Sequence, residues 1–541
     1  MKTKDKIYIQ DWLLFKPYEN QTLTDVYYLK LCNNIKQAIL SEKTSFIFYK
    51  YINKEEIDSL ACFLCAWFED LISDTNIWNS FIRRHKQMYK KPLPFYNLSE
   101  YYEEEINQQD ICFLIWYFLN TVQTEKFIAP FNEFIEKTAE KVFTILDEAW
   151  DFAPENKLLK SIYTIDENET DFYIARNLID TLLFKSYLFY PDTSFRLEEK
   201  KAEIIEENRD DENLIVFINE NRDTTLHKSH TRLLSLKGKE WAAEILGKEH
   251  PLNKAYLNIS QRIRGFFFYK GQDENDISLE HIASGKKFKL TKKSFDYCDG
   301  LKEIDTIMFM GIVKWRNEWW FSGIHFQSEF NADLVLKEKN SMESRMAVNF
   351  LDHQKDETRE MLEKQYEAFL NFNNDSPIAF MPTDKLMDFN KNYIQFFNDS
   401  LNLSEKEINE AKERSRKDGF FGDEKEEPKD FTEIAETGLV FFNPKSGVEM
   451  VMEVNSAFPL SANPYFDKEE SEDHIFRLFM DESISTELAM YCVDNCKTNL
   501  PFFQQGVGKV YLNDIDFLLR FWKKESYQSI PSITTIGAKE D

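Results

Sequence analysis

Apolar residues recur at helical spacing through most of the first 190 positions. Asn53 suits a helix N-cap, and Glu56 stands three residues on to complete a capping box. Ile57, Leu60, Leu64, Phe68 and Leu71 then mark one face of an amphipathic helix. A second stripe, Phe131, Phe134, Ile135, Val142, Ile145 and Ala149, predicts a helix over 131–150. A third, Ile174, Leu178, Ile179, Leu182 and Leu183, predicts one over 170–187. The run Ile111 to Leu119 is apolar throughout, yet far short of the ~20 residues that cross a bilayer, so it predicts a helix buried on all sides. Helices of this length with short polar breaks imply an orthogonal or bundle-like α-domain.

The period changes at Arg264. Phe266 to Tyr269, Ile277 to Ile282, Phe288 to Thr291, Ile307 to Trp315 and Trp319 to Phe321 are short apolar or alternating runs separated by turn chemistry. Ser284-Gly285 predicts one hairpin turn and Arg316-Asn317-Glu318 the tip of another. Gly311 and Gly323 lie inside strands, where glycine marks a bulge or a barrel corner. The pattern predicts a small five-stranded SH3-like or OB-like barrel, with an open sheet capped by helices as the alternative.

Helical spacing returns over 342–372 and 386–416. Leu439 to Phe442, the turn Asn443 to Gly447, and Val448 to Val454 then predict a strand pair. In the second strand Val448, Met450, Met452 and Val454 face a core, while Glu449 and Glu453 face water. Helices follow near 484–496 and 514–522. The fold class is therefore α+β and multidomain. It comprises an N-terminal helical domain (1–196), a charged linker and connecting helical segment (197–260, with a helix over 238–246), and the small β module (261–330). A helical segment (341–416), an acidic linker (417–430) and a C-terminal mixed α/β region (431–541) complete it.

Composition narrows the function classes. The net charge of −27 opposes sequence-independent binding to polyanions such as nucleic acid or an acidic membrane, and keeps a protein soluble. The seven cysteines are an odd count in apolar helical runs, which suits reduced thiols in a cytoplasmic protein. No apolar h-region or small-residue cleavage site follows Met1-Lys2-Thr3-Lys4-Asp5-Lys6, so no signal peptide is expected.

Candidate chemistry is sparse. Cys62 and Cys65, with Cys492 and Cys496, have metal-like spacing but no turn to present four thiolates, so no metal is expected. His227 and His230 form the densest histidine cluster, and the flanking Arg222, Asp223 and Arg232 predict an exposed polar segment rather than a metal or base site. Gly506-Val507-Gly508 lacks the frame of a phosphate-binding loop and is read as a plain loop. The one basic run, Lys286, Lys287, Lys289, Lys292 and Lys293, neighbours Trp315, Trp319 and Trp320 on the next hairpin. Lysines for phosphates beside rings for bases make these the candidate binding residues, against a core role for the tryptophans. No catalytic residue, metal site or cofactor is assigned.

Ile7-Tyr8-Ile9-Gln10-Asp11-Trp12-Leu13, then Lys16-Pro17-Tyr18 and Tyr27 to Asn33, resembles the start of an uncharacterised family of long bacterial proteins, which implies no activity. Ile277 to Phe288 with Ile307 to Gly323 is similar to a β module found beside SEC-C metal-binding motifs. The cysteine cluster that defines the motif is absent, so its zinc site does not carry over.

The expected function is a non-catalytic cytoplasmic adaptor or scaffold whose partner is another protein, with no membrane association. The alternatives are a metal-dependent hydrolase or nuclease with a site assembled from distant residues, and nucleic-acid binding through the β module.

Overall fold

Asn53 starts a helix as its side chain requires. Its Oδ1 accepts from the amides of Glu55 and Glu56 at 2.8 and 3.0 Å, and Glu56 accepts from the Asn53 amide at 2.6 Å. In the computed structural model the described residues are 6–41, 45–98, 100–123, 126–209, 211–349, 355–401, 404, 406–407, 409–410, 413 and 432–527. The acidic linker expected at 417–430 lies outside them. The chain forms two compact units, Met1–Gln261 with Lys314–Asn317, and Arg262–Val313 with Glu318–Asp541.

The first unit is helical. The capped helix, Lys54–Ser73, packs against Leu23–Ile39 and against Gln108–Val122. In the latter every residue from Asp110 to Thr121 is buried, as an unbroken apolar run demands. The two predicted amphipathic helices form as Glu133–Ala149 and Phe172–Lys185. Phe131 and Ile174, expected to point inward, are exposed instead. Phe131 precedes its helix and meets Tyr96 edge-on, while Ile174 lies with Tyr173 on the exposed side of a first turn whose Phe172 and Ala175 are buried. Charged Phe195–Glu207 buries only Leu197, and Gly238–Leu246 forms as predicted.

In the second unit β1 (Ile263–Gln272), β2 (Asp276–His281), β3 (Lys287–Thr291), β4 (Ile307–Trp315) and β5 (Glu318–Ser328) close into a barrel in the order β1-β2-β3-β5-β4. β3 meets β5 in parallel at Leu290 and Trp319, whereas β1 pairs antiparallel with β2 and β4, and β2 with β3. That order with one parallel closure is OB-type, which decides between the two expected barrels. Alternation turns Phe267, Ile277, Leu279, Leu290, Met308 and Met310 inward. The bulge falls at Gly271 (φ 117°), where the β1–β2 register shifts. Gly311 serves close approach instead: a Cβ there would lie 2.4 Å from the Ser322 carbonyl and 2.5 Å from the Arg262 guanidinium.

Beyond the barrel β6 (Ile378–Pro382), β7 (Thr437–Asn443) and β8 (Gly447–Met452) form an antiparallel sheet in the order β6-β7-β8. Helices Lys355–Phe372 and Leu386–Ser400 cover one face through Phe369, Tyr393, Val440 and Phe442. The opposite face is also covered, and this overturns the wet face expected for β8. Glu449 is half-buried, accepting from the Ser485 amide at 2.8 Å at the start of helix Thr486–Cys496, and Phe441 packs on Tyr491. Glu453, past the strand, does reach water and pairs with Arg477. Gly506-Val507-Gly508 is not a loop but opens helix Gly506–Tyr511, anchored by buried Tyr511. Among the described residues no helix is long and apolar enough to cross a membrane.

Candidate functional site

The β2–β3 hairpin gathers the predicted lysines on one edge of the barrel. Phe288 and Leu290 point inward, so Lys287 and Lys289 point out. Two of the five pair with acids, and two of the others lie against neighbours in the fold. Lys286 Nζ donates to the Val348 carbonyl at 2.9 Å, and Lys287 stands across from Glu280. Lys289 lies 3.7 Å from Asp273, Lys293 pairs with Glu318 at 2.7 Å, and Lys292 opens the turn after β3. Nearby His281 is buried on the inner face, its Nδ1 2.9 Å from Ser284 Oγ and its Nε2 against Gly265. Burial, then the Lys286 charge, pulls His281 down to about 4.

The tryptophans do not join this surface. Trp319 turns into the barrel and meets Phe288 edge-on at 5.0 Å. Its neighbour Trp320 faces the other way and is 2% exposed. Trp315 is 1% exposed, its Nε1 donating to the Thr170 carbonyl at 3.1 Å and its ring set edge-on to Tyr256. A base stacks on an open ring, and Trp315 and Trp320 present none.

The other sequence candidates are likewise built into the fold. His227 ends helix Leu214–Lys228 and stacks on Phe172, whereas His230 lies beyond it in a bridge to Lys237. The segment beside them is not simply exposed: Arg222 pairs with Asp180 and buried Asp223 with Arg176, two reciprocal bridges from this helix to Phe172–Lys185. All seven cysteines are free thiols, six of them buried. Among the described residues no group of three His, Cys, Asp or Glu is arranged to hold a metal ion.

Three buried acids whose carboxyls are shifted upward sit inside the helical unit. Burial raises Asp110 to about 7 against hydrogen bonds from Asn107 and Tyr101. Burial likewise raises Glu69, which pairs with Lys16 and accepts from Asn156 at 2.8 Å. Asp70, also raised by burial, accepts from the amides of Ile77 and Trp78 and from Tyr187 Oη at 2.7 Å. Shifts of this kind accompany active sites. Here Glu69, Asp70 and Asp110 are 0%, 2% and 0% exposed and fully engaged, so they hold helices together rather than face a substrate.

The surface that remains open is aromatic and was missed in the sequence. On the outside of the barrel Phe266 packs on Phe309 at 4.9 Å, and Phe309 on Phe326 at 6.4 Å. Farther along, Phe330 stacks on Phe268 at 6.2 Å. Arg264 lies over the Phe309 ring at 4.7 Å and Lys270 over Phe268 at 5.0 Å, both within cation–π reach. Helix Ala332–Asn340, capped by Asn331 on the Leu334 amide, lays Leu334 and Val335 over Phe268, Ile282 and Ile307. It leaves Phe326 45% and Phe330 60% exposed. The signal lay in Phe266-Phe267-Phe268-Tyr269: four consecutive rings on one strand must put two of them outside.

A family model described as "Protein of unknown function (DUF3843)" matches residues 6–279, from the first described residue into β2. No curated protein and no solved structure matches the chain.

Proposed function

The chain belongs to this family of proteins of unknown function, and we propose that it is a non-catalytic adaptor or scaffold that docks another protein on its barrel. The observation that carries the reading is the run of outward phenylalanines from Phe268 to Phe326, partly covered by one short helix. Contiguous apolar surface that a chain leaves open marks an interaction site. Aromatic rings with an arginine beside them supply most of the energy in such interfaces. The paired lysines and interior tryptophans weigh against nucleic acid as the partner. Seven free thiols suit work in a reducing compartment such as the cytoplasm.

Affinity purification of the full-length chain from its native cell, beside a Phe309→Ser/Phe326→Ser variant, tests this. A protein partner that co-purifies with the native chain and is lost from the variant is the expected result. Recovery of no partner, together with metal-dependent turnover in a broad hydrolase screen, overturns it.

A further inference from the structure

We infer that the occupant of the phenylalanine strip is an amphipathic α-helix of the partner, carrying large apolar side chains at i, i+3 and i+4. This deepens the docking reading and rests on it. Three observations select a helix. The strip is continuous with a surface that already accepts one, since Phe266 packs in the same cluster as Leu334 and Val335 of helix Ala332–Asn340. The barrel order is closed, so every strand has a neighbour on both sides and an extended peptide has no free edge to pair with. The open part spans the neighbouring strands β1, β4 and β5. At ~4.8 Å between strands that is about 10 Å, the width of one helix with its side chains.

The inner helix shows how such a ligand would be read. Leu334 and Val335 make its apolar contacts with the cluster, and the Asn331 side chain fixes its start. A helix laid beside it would cover Phe326 and Phe330 with apolar side chains one turn apart on a single facing stripe.

The test places a photoreactive benzoylphenylalanine at position 326 of the full-length chain in its native cell, and maps each cross-link to a residue by mass spectrometry. The expected adduct lies in a single segment of another protein with apolar residues at helical spacing, and Phe309→Ser lowers its yield about tenfold. Adducts in a segment of alternating period, in lipid or in a second copy of this chain overturn the helix assignment. If the affinity purification still returns a partner that depends on Phe309, the docking reading survives that outcome. If neither method finds a partner, both readings fall.

Discussion

The amide of Trp78 donates to the carboxylate of Asp70 at 2.7 Å, so the helix Ile77–Tyr89 is capped by a residue of the helix before it. The local N-cap position, Asn76, is left-handed and its side chain makes no cap hydrogen bond. Asp70 also accepts from the Ile77 amide at 3.3 Å, and from Thr75 and Tyr187. Asp70→Ala should therefore strand several buried donors at once and cost about 3 kcal/mol. Asp70→Asn, which keeps an acceptor oxygen, should cost roughly a third of that. Urea unfolding followed by tryptophan fluorescence separates the two, and equal losses would show that volume rather than capping matters.

Asp110 gives a pH signature. Burial lifts its folded-state value to about 7, from an ordinary carboxylate value of 3.8. Between those values the folded chain holds a proton that the unfolded chain has released. The stabilisation from this group is full below the ordinary value and is lost as the pH rises through about 7. Relative to Asp110→Asn, the native chain should lose up to about 4 kcal/mol between about pH 4 and pH 8. Parallel stability curves for the two proteins would show that Asp110 is ionised in the fold. His85, drawn down to about 4 by burial, acts in the opposite sense below neutrality, which is why the comparison with the variant isolates Asp110.

Gly265 and His281 are matched in volume. A Cβ at Gly265 would lie 2.8 Å from His281 Nε2, and His281 is fully buried beside Phe267. Gly265→Ala should cost about 1–3 kcal/mol by overpacking. In a His281→Ala background, where the ring is gone, the same change should cost much less. A double-mutant cycle on thermal unfolding reads the difference, and additivity would mean that the two residues are not coupled.

The β3 lysines make a negative prediction. Lys289 and Lys293 face Asp273 and Glu318, and Lys287 faces Glu280, on a chain of net charge −27. The full-length protein should retain no labelled single-stranded oligonucleotide even at low salt, and Lys287→Glu/Lys289→Glu should change nothing. Salt-dependent retention that the double variant abolishes would return the hairpin to the list of binding surfaces.

Much of this architecture was legible because its signals are local. Asn53 with Glu56, the unbroken run after Asp110 and the turn at Ser284-Gly285 each carry their own physical instruction, and each is obeyed. The barrel topology was not local: only the pairing of Leu290 with Trp319 distinguishes the OB-type closure, and it joins residues on separate hairpins. Glu449 was misread for the same reason. Alternation separates the two faces of β8, but whether the second face meets water depends on Ser485 and Tyr491, far along the chain. β6 was overlooked because Ile378 to Pro382 is too short to show a period before proline ends it. The candidate surface was half visible. The lysines were read as a platform because spacing shows proximity but not the acids near them, and Phe266 to Tyr269 were read only as a strand because hydrophobicity does not say which side of a closed barrel a ring faces.

The helical unit includes Lys314–Asn317, which are separated from the rest of it by more than fifty residues of barrel sequence. Trp315 supplies the ring against Tyr256 and satisfies the Thr170 carbonyl. During synthesis, therefore, the helices have all left the ribosome while that place is still vacant. Their interior is finished only after β4 and the tip of the next hairpin have emerged. A nascent chain halted just after Gln261 would hold an incomplete domain, and the barrel segment serves as a delay before the first unit can seal.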